Sequence, residues 1–541
     1  MQNGLIVISS IGSIAILFVL IPLLFGSGST MPPRLPETIP FISNTFQASV
    51  NPKAFYARAL KTMQRLDTEI LRFRLAGRQA FLVVGEKKTN TLFRLNSGLS
   101  VDYYYHLLVK AIIDPSERDM QRLLTDVSGR AKVPLPGTEH IAEKDRLWAA
   151  WHRIFTENLL QTIPTQDMAA LFLANFAAKV TELFNVGEWS TIRVVEFLDR
   201  HQTECAARTI NGSRVFEENP EYFDLLKEFE LGIIPIAFGP PKWMNPKPHR
   251  ARDKYLAMNK KYVTNALRDF DWNSPEASAP WEPVFGSPLI RAVIRWGLDI
   301  NLDIDTISGF FGVQVINGTS NTVPASAWTV VSTLTCPDPE LLTNIRREAE
   351  AAIAVDPKTG ERVFDVQKLA ASPWLQAVYT ETLRLRSGFC IIRDAVRDTE
   401  IDGVSIAKGA IVQAPIPIAH HDAVWEAEGY AVDEFWPHRH IKVVGSTDEK
   451  GHRAEKVEFA LGNRSGYYFP YGGGITMCPG RHFAKLEIMG TLALLVTQFD
   501  IEVVGWVKHD GSPSDREARN GVGMAVYHPD RDLKVRVKRR Y

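Results

Sequence analysis

The chain opens on an apolar run. From Leu5 to Phe25 the sequence LIVISSIGSIAILFVLIPLLF carries no charge over 21 residues. That length lets a helix cross a hydrocarbon core of about 30 Å. Pro22, near its end, is tolerated in a membrane helix. Gly and Ser then give slack, and Pro32, Pro33, Pro36 and Pro40 stiffen the next stretch of chain. The pattern predicts a short tail over 1–4, an anchor helix over 5–25, a linker over 26–45 and a body over 46–541. Within the body, AFYARALKTMQRL (54–66) reads as an amphipathic helix, and alternation around Gly77-Arg78 predicts a hairpin over 70–86. From about 145 to 340 the periodicity is mostly helical, broken by FGPPKWMNPKP (238–248), with one long helix over 295–334 despite its interruptions. A helix with Pro373 in its first turn covers 373–386. Short strands with turn signals such as Asp402-Gly403 fill 388–418, and 420–475 is irregular. A further helix comes after Cys478, and 499–538 returns to strand-like alternation. The body is therefore mainly α with small β-sheets at both ends.

Composition changes this picture little. Lys+Arg and Asp+Glu are both 62, so a nucleic-acid partner finds no basic excess. The first cation is Arg34, on the body side of the apolar run, which favours a cytosolic body. No basic region precedes the run, and it is long for a cleaved signal peptide, so a retained anchor is the expectation. The four cysteines (205, 336, 390, 478) lie far apart and form neither a disulfide scaffold nor a paired zinc framework. A lone functional thiol remains.

The most specific segment is Tyr471-Gly-Gly-Gly-Ile-Thr-Met-Cys478-Pro-Gly480-Arg-His-Phe-Ala. Glycines permit close backbone approach to a flat ligand and turns with positive φ. A cysteine at a helix N-terminus gains thiolate character from the dipole and the free N–H groups. Gly480 leaves room where a side chain would meet a planar cofactor. The competing reading is a buried structural cysteine in a Gly-rich turn. A dinucleotide loop is excluded because Met477 breaks GxGxxG.

This segment resembles the haem-ligand loop of cytochromes P450, aromatic-Gly-x-Gly-x-x-x-Cys-x-Gly, with Gly472, Gly474 and Gly480 at its glycine positions. Tyr471 stands where most members have Phe, and Thr476 where most have an Arg that contacts a haem propionate. The resemblance implies the P450 fold as one large domain behind an N-terminal transmembrane helix. It implies haem b (iron protoporphyrin IX) with Cys478 as axial thiolate. Glu381-Thr-Leu-Arg384 matches the family's ExxR helix, and Arg439 fits the third member of its buried charge network. Arg393 matches a strand arginine that reaches a propionate. Trp148 and His152 fall near the family's Trp-x-x-x-Arg helix, with His in place of Arg. His420 and His421 read as ordinary loop residues. Arg481 and Lys485 would either face a reductase or be solvated helix charges.

In the long helix, Ser320-Asn321 stand where most members carry an acid-Thr pair that delivers protons. Pro324 lacks an N–H, so the Ser320 carbonyl loses its i+4 donor. Ser320, Asn321 and Thr322 are thereby expected to hold water or oxygen beside the haem; the bland alternative is a kink with the Asn bonded to backbone. Asn321-Thr-Val-Pro324 resembles the branch of sterol and bile-acid hydroxylases and prostacyclin synthase, whereas the haem loop resembles filamentous-fungal members. Substrate contacts carried over from the family layout are Phe310, Val313, Asn317, Phe389, Ile392 and Met524.

The resemblance implies a monomeric monooxygenase of a hydrophobic terpenoid, steroid-like or polyketide metabolite. It would be tethered to the endoplasmic reticulum membrane, with its catalytic domain cytosolic, and take electrons from NADPH–cytochrome P450 reductase. The missing acid-Thr pair motivates an alternative, an isomerase or dehydratase needing neither reductase nor oxygen. A second alternative is an inactive haem-binding protein.

Overall fold

The computed structural model describes residues 31–39, 42–95, 98–357, 360–447 and 453–541. The expected anchor over 5–25 lies outside the described residues, and among the described residues no helix is long and apolar enough to cross a membrane. Of the expected linker, residues 33–35 dock on the body: Leu35 N–H donates to Arg72 O (2.8 Å), Arg72 N–H returns to Pro33 O (2.9 Å), and Leu35 is fully buried.

The helices used below are α1 (Pro52–Arg65), α2 (Leu147–Leu159), α3 (Thr162–Leu183), α4 (Val194–Asn211), α5 (Tyr222–Glu230), α6 (Pro246–Asp269), α7 (Ile304–Thr319), α8 (Thr322–Leu334), α9 (Pro373–Arg386) and α10 (Arg481–Gln498). The strands are β1 (Ile70–Leu75), β2 (Arg78–Val83), β3 (Leu99–Ser100), β4 (Trp189–Arg193), β5 (Cys390–Ala395), β6 (Ile411–Pro415), β7 (Phe499–Val507), β8 (Asn520–Gly523), β9 (Tyr527–Pro529) and β10 (Asp532–Arg539). One sheet has the order β1-β2-β6-β5-β3 and another β7-β10-β4. The β1–β2 hairpin turns through Ala76 and Gly77, both at positive φ, as a tight two-residue turn requires.

The core is helical. α7 and α8 are buried almost all round, as is α10 from Phe483 onwards, so their apolar residues show no single face. α9 starts at Pro373, and Glu348 caps it from another helix, accepting the N–H groups of Trp374 (2.9 Å) and Leu375 (3.3 Å).

The single helix expected over 295–334 is three. The first, Pro288–Asp299, ends before Asn301, which turns the chain at φ 56°. The second break, between α7 and α8, falls at Ser320-Asn321, four residues before Pro324, where the missing N–H breaks the ladder. The region 420–475, expected to be irregular, also holds a strand pair, Ile441–Thr447 with Arg453–Phe459.

Candidate functional site

α10 begins just past Cys478, with Gly480 as its N-cap residue. The loop before it is folded by its own backbone: Cys478 N–H donates to Tyr471 O (3.0 Å) and Met477 N–H to Gly474 O (3.1 Å). Gly472 and Gly474 have φ +72° and +63°. A Cβ on Gly474 would lie 2.5 Å from the Phe93 carbonyl oxygen, and one on Gly473 would lie 2.6 Å from the Phe93 ring. These glycines shape the loop around Phe93; the cavity wall itself runs from Pro470 and Tyr471 to Ile475 and on through Gly480.

That cavity measures about 430 Å³. The thiol loop forms one wall. The opposite wall is the α7–α8 junction, with Asn317, Gly318, Asn321 and Thr322. Cys478 opens on the cavity. Burial pushes its thiol pKa up, while the backbone N–H of Gly480 and the Arg481 charge pull it down. The helix N-terminus therefore contributes in the expected sense, but burial outweighs it. The other cysteines do not line this space, and burial pushes Cys205 and Cys390 each up to about 12.

Behind the loop lies the charge network. Arg384 donates to Glu381 through Nε and Nη2, both at 2.8 Å, and Arg439 Nε donates to Glu381 Oε1 at 2.8 Å. His440, a member that the sequence did not suggest, places Nε2 2.9 Å from Glu381 Oε2. All four side chains are fully buried. Burial alone would raise the Glu381 carboxyl; its bonds to Arg384 and His440 hold it well below the carboxylate range. His420 stands against this network, with Nδ1 3.0 Å from Arg384 O and Nε2 accepting the Phe469 N–H at 3.0 Å. Burial pushes its pKa down to about 3, so the ring is neutral. His421 is placed 2.9 Å (Nδ1) from Pro417 O.

At the cavity edge, Arg393 Nη2 donates to Thr476 Oγ1 (2.9 Å), so strand β5 and the thiol loop meet at the two positions that the resemblance singled out. Burial lowers Arg393 to about 10. Arg130, which sequence reasoning missed, lines the cavity beside His152. Its guanidinium lies over Tyr105 (4.5 Å) and Trp148 (5.0 Å) and pairs through Nη1 with Asp102. Its Nη2 is buried without a hydrogen-bond partner among the described residues. Arg130 sits in an irregular loop with no periodicity to mark it, and only its coming together with Trp148 reveals it.

The α7–α8 junction is occupied differently from a water-holding pair. Asn321 Oδ1 accepts the N–H groups of Ala525 (2.9 Å) and Val526 (3.0 Å), in the β8–β9 turn. Ser320 Oγ donates to Glu230 Oε1. Thr322 lines the cavity. Of the expected substrate contacts, Asn317, Phe389 and Met524 line the cavity. Phe310 and Val313 lie in the packed core, Phe310 against Trp151 at 4.5 Å, and Ile392 packs beside α1 and the first sheet. Trp151, Ile210, Leu289 and Gln314 complete the wall instead. Lys485 is tied to Gln376 Oε1 (2.7 Å) and Ala370 O (3.3 Å), and Arg481 donates to Cys478 O (3.1 Å).

A thiol facing a largely apolar cavity, opposite an interrupted helix and backed by a buried Glu-Arg-Arg network, defines a haem-thiolate class of protein. The comparisons agree. The cytochrome P450 family model matches residues 33–526, and the chain belongs to that family. It is 35% identical to the cytochrome P450 monooxygenase calL of Penicillium decumbens over 97% of this chain and 96% of that one. It is 24% identical to the cholesterol 7-alpha-monooxygenase of Cricetulus griseus over 65% of this chain and 67% of that one. Among solved structures, retinoic acid-bound cyanobacterial CYP120A1 superposes with a TM-score of 0.65 at 18% identity, covering 94% of this chain and 99% of that one, a likeness of fold alone.

The family and fold imply a haem-thiolate cofactor, and the residues present fit one. A Cβ on Gly480 would touch only Cys478 Sγ (3.8 Å) and Leu159 (3.9 Å), so the space beside the thiol is open to a flat group. The unpartnered Nη2 of Arg130 and the Arg393–Thr476 pair offer donors for carboxylates at its edge.

Proposed function

We propose that this P450 monooxygenase oxidises a hydrophobic small molecule of terpenoid, steroid-like or polyketide type. It would use haem b, held by the Cys478 thiolate and by Arg130, Arg393 and Thr476 at the propionates. The observation that carries this reading is Cys478 opening on a largely apolar cavity across from Asn317, Asn321 and Thr322. The fungal relative supports the monooxygenase reaction, and the likeness to a cholesterol 7-alpha-monooxygenase favours a steroid-like substrate. Haem supplies the bond-breaking redox chemistry when bound.

The chain's own residues do the rest. Ile210, Leu289, Phe389 and Met524 exclude water and bind apolar surface. Asn321 fixes the turn carrying Met524 by holding the next two N–H groups, so substrate meets a set wall. Asn317 and Thr322 are the polar groups that orient a substrate oxygen. Electrons would come from NADPH–cytochrome P450 reductase. Anchoring in the endoplasmic reticulum membrane rests on the sequence of 5–25 alone.

The second reading, an isomerase or dehydratase, is favoured by one observation: no acid occupies position 320 or 321, and the Asn321 oxygen is already bonded. NADPH and oxygen consumption, measured with candidate metabolites and a reconstituted reductase, separates the two. Product formed in step with both supports the monooxygenase, and turnover independent of both rejects it.

A further inference from the structure

Ser320 lies in the break between α7 and α8, and its hydroxyl leaves that helix pair altogether. Its Oγ donates to Glu230 Oε1, at the end of α5. Among the described residues Ser320 is the only hydrogen-bond partner of this carboxyl. Glu230 is half-buried, and burial pushes its pKa up, against the opposing pull of Ser320 and Lys227. Lys227 lies one turn earlier on α5, is largely exposed, and pairs with Asp199 of α4. The carboxyl thus stands between a solvent-facing ion pair and the hydroxyl of a residue whose two successors line the cavity. Pro324 also leaves the Ser320 carbonyl without its i+4 donor.

We propose that Glu230 is the proton source for the cavity, acting through Ser320 Oγ from a helix other than the one that forms the wall. The proposal rests on the monooxygenase reading, in which oxygen reduction consumes protons. Once Glu230 is protonated from bulk water the hydrogen bond reverses: the acid O–H donates to Ser320 Oγ, and the Ser320 hydroxyl hydrogen turns towards the cavity. Glu230 then gives its proton to Ser320 Oγ. The Ser320 O–H bond breaks in the same event, and its proton passes to a water molecule at Thr322 on the cavity wall. The Glu230 carboxylate then recovers a proton from bulk water on the Lys227 side. A tether between α5 and the break would need only the hydrogen bond, which Gln can also accept. A proton source needs an ionisable group.

The test uses the haem-loaded full-length protein. The infrared spectrum, taken across pH, shows a protonated carboxyl band that is absent in Glu230→Gln. The band shifts in Ser320→Ala and stays in place in Ser320→Thr. Product formed per NADPH falls in wild type as pH rises through the raised pKa of Glu230. In Glu230→Gln it is lower by about 10²-fold and flat with pH, and Glu230→Asp restores part of it. The other charged or titratable groups around this site are Lys227 on α5, Asp199 and Glu196 on α4, Tyr255 on α6 and His528 on β9. A limb that disappears in Glu230→Gln is not theirs. The proposal is overturned if Glu230→Gln keeps the wild-type yield and pH profile, or if Ser320→Ala leaves the carboxyl band unmoved. Should Glu230→Gln fail to load haem, Ser320→Ala against Ser320→Thr makes the same comparison. Absence of NADPH-dependent turnover in wild type refutes the monooxygenase reading instead, and the infrared bands still report whether Glu230 and Ser320 share a proton.

Discussion

Glu487 is fully buried on α10, nine residues past the thiol. Among the described residues its Oε1 accepts one hydrogen bond, from Gln202 Nε2 of α4 at 2.9 Å, and its Oε2 has none. Gln202 Nε2 also donates to Ser326 of α8 at 2.9 Å, so the carboxyl joins three core helices. Among the described residues no cation neutralises it, and burial pushes its pKa up to about 8. The folded protein therefore holds this proton at pH 7, whereas the unfolded chain releases it above the ordinary value of 4.5. Stability from this group is thus complete below 4.5 and is lost as pH rises towards 8. At about 1.4 kcal/mol per pH unit, the 2.5 units between 4.5 and 7 amount to about 3.5 kcal/mol. Glu487→Gln keeps an oxygen for Gln202 and carries no charge in either state. Urea denaturation of the haem-loaded wild type and variant at pH 5, 6, 7 and 8 should show the variant gaining steadily on the wild type. Taking the difference cancels the groups that the two share. A difference constant across that range would refute the argument.

Glu381→Gln leaves Arg384 and Arg439 buried without a counter-charge, and should cost about 3–5 kcal/mol, read as a drop in urea midpoint or loss of soluble protein. Arg130→Met keeps the stem packed on Tyr105 and Trp148 but removes the charge. A charge-assisted hydrogen bond worth about 1.5–3 kcal/mol predicts haem loss to a scavenging globin faster by roughly tenfold or more. Asn321→Ala strips the Ala525 and Val526 N–H groups of their acceptor. It should weaken substrate binding, read from the spectral shift on titration, while haem loading is unchanged.

Much of the fold and the site is legible in the sequence because the signals are local. The thiol loop is legible because Gly472, Gly474 and Cys478 serve one short stretch of backbone, whose pattern resembles the family's haem-ligand loop. Its glycines carry a second constraint that spacing does not show, the Phe93 side chain and carbonyl packed against them. Glu381 and Arg384 are one helical turn apart, so their pairing follows from periodicity. His440 lies 59 residues from Glu381, and only the fold brings it in. Phe310 and Val313 resemble substrate contacts only by their position on a helix. A helix buried all round gives no sign of which residues face a cavity and which face the core.

Ser320, Asn321 and Thr322 show the limit most sharply. Pro324 fixes where the helix breaks, and that much is local chemistry. The role of the freed polar groups then depends on the elements that arrive from elsewhere. Asn321 holds the tail turn, some two hundred residues further on. Ser320 meets a carboxyl 90 residues back in the chain. A polar pair read within its own helix invites the conclusion that the acid is missing. In the folded chain the Ser320 hydroxyl does meet an acid, and it comes from α5. Proton-delivering groups in such a site are therefore to be sought across the helices that pack on the break, not only within the helix that breaks.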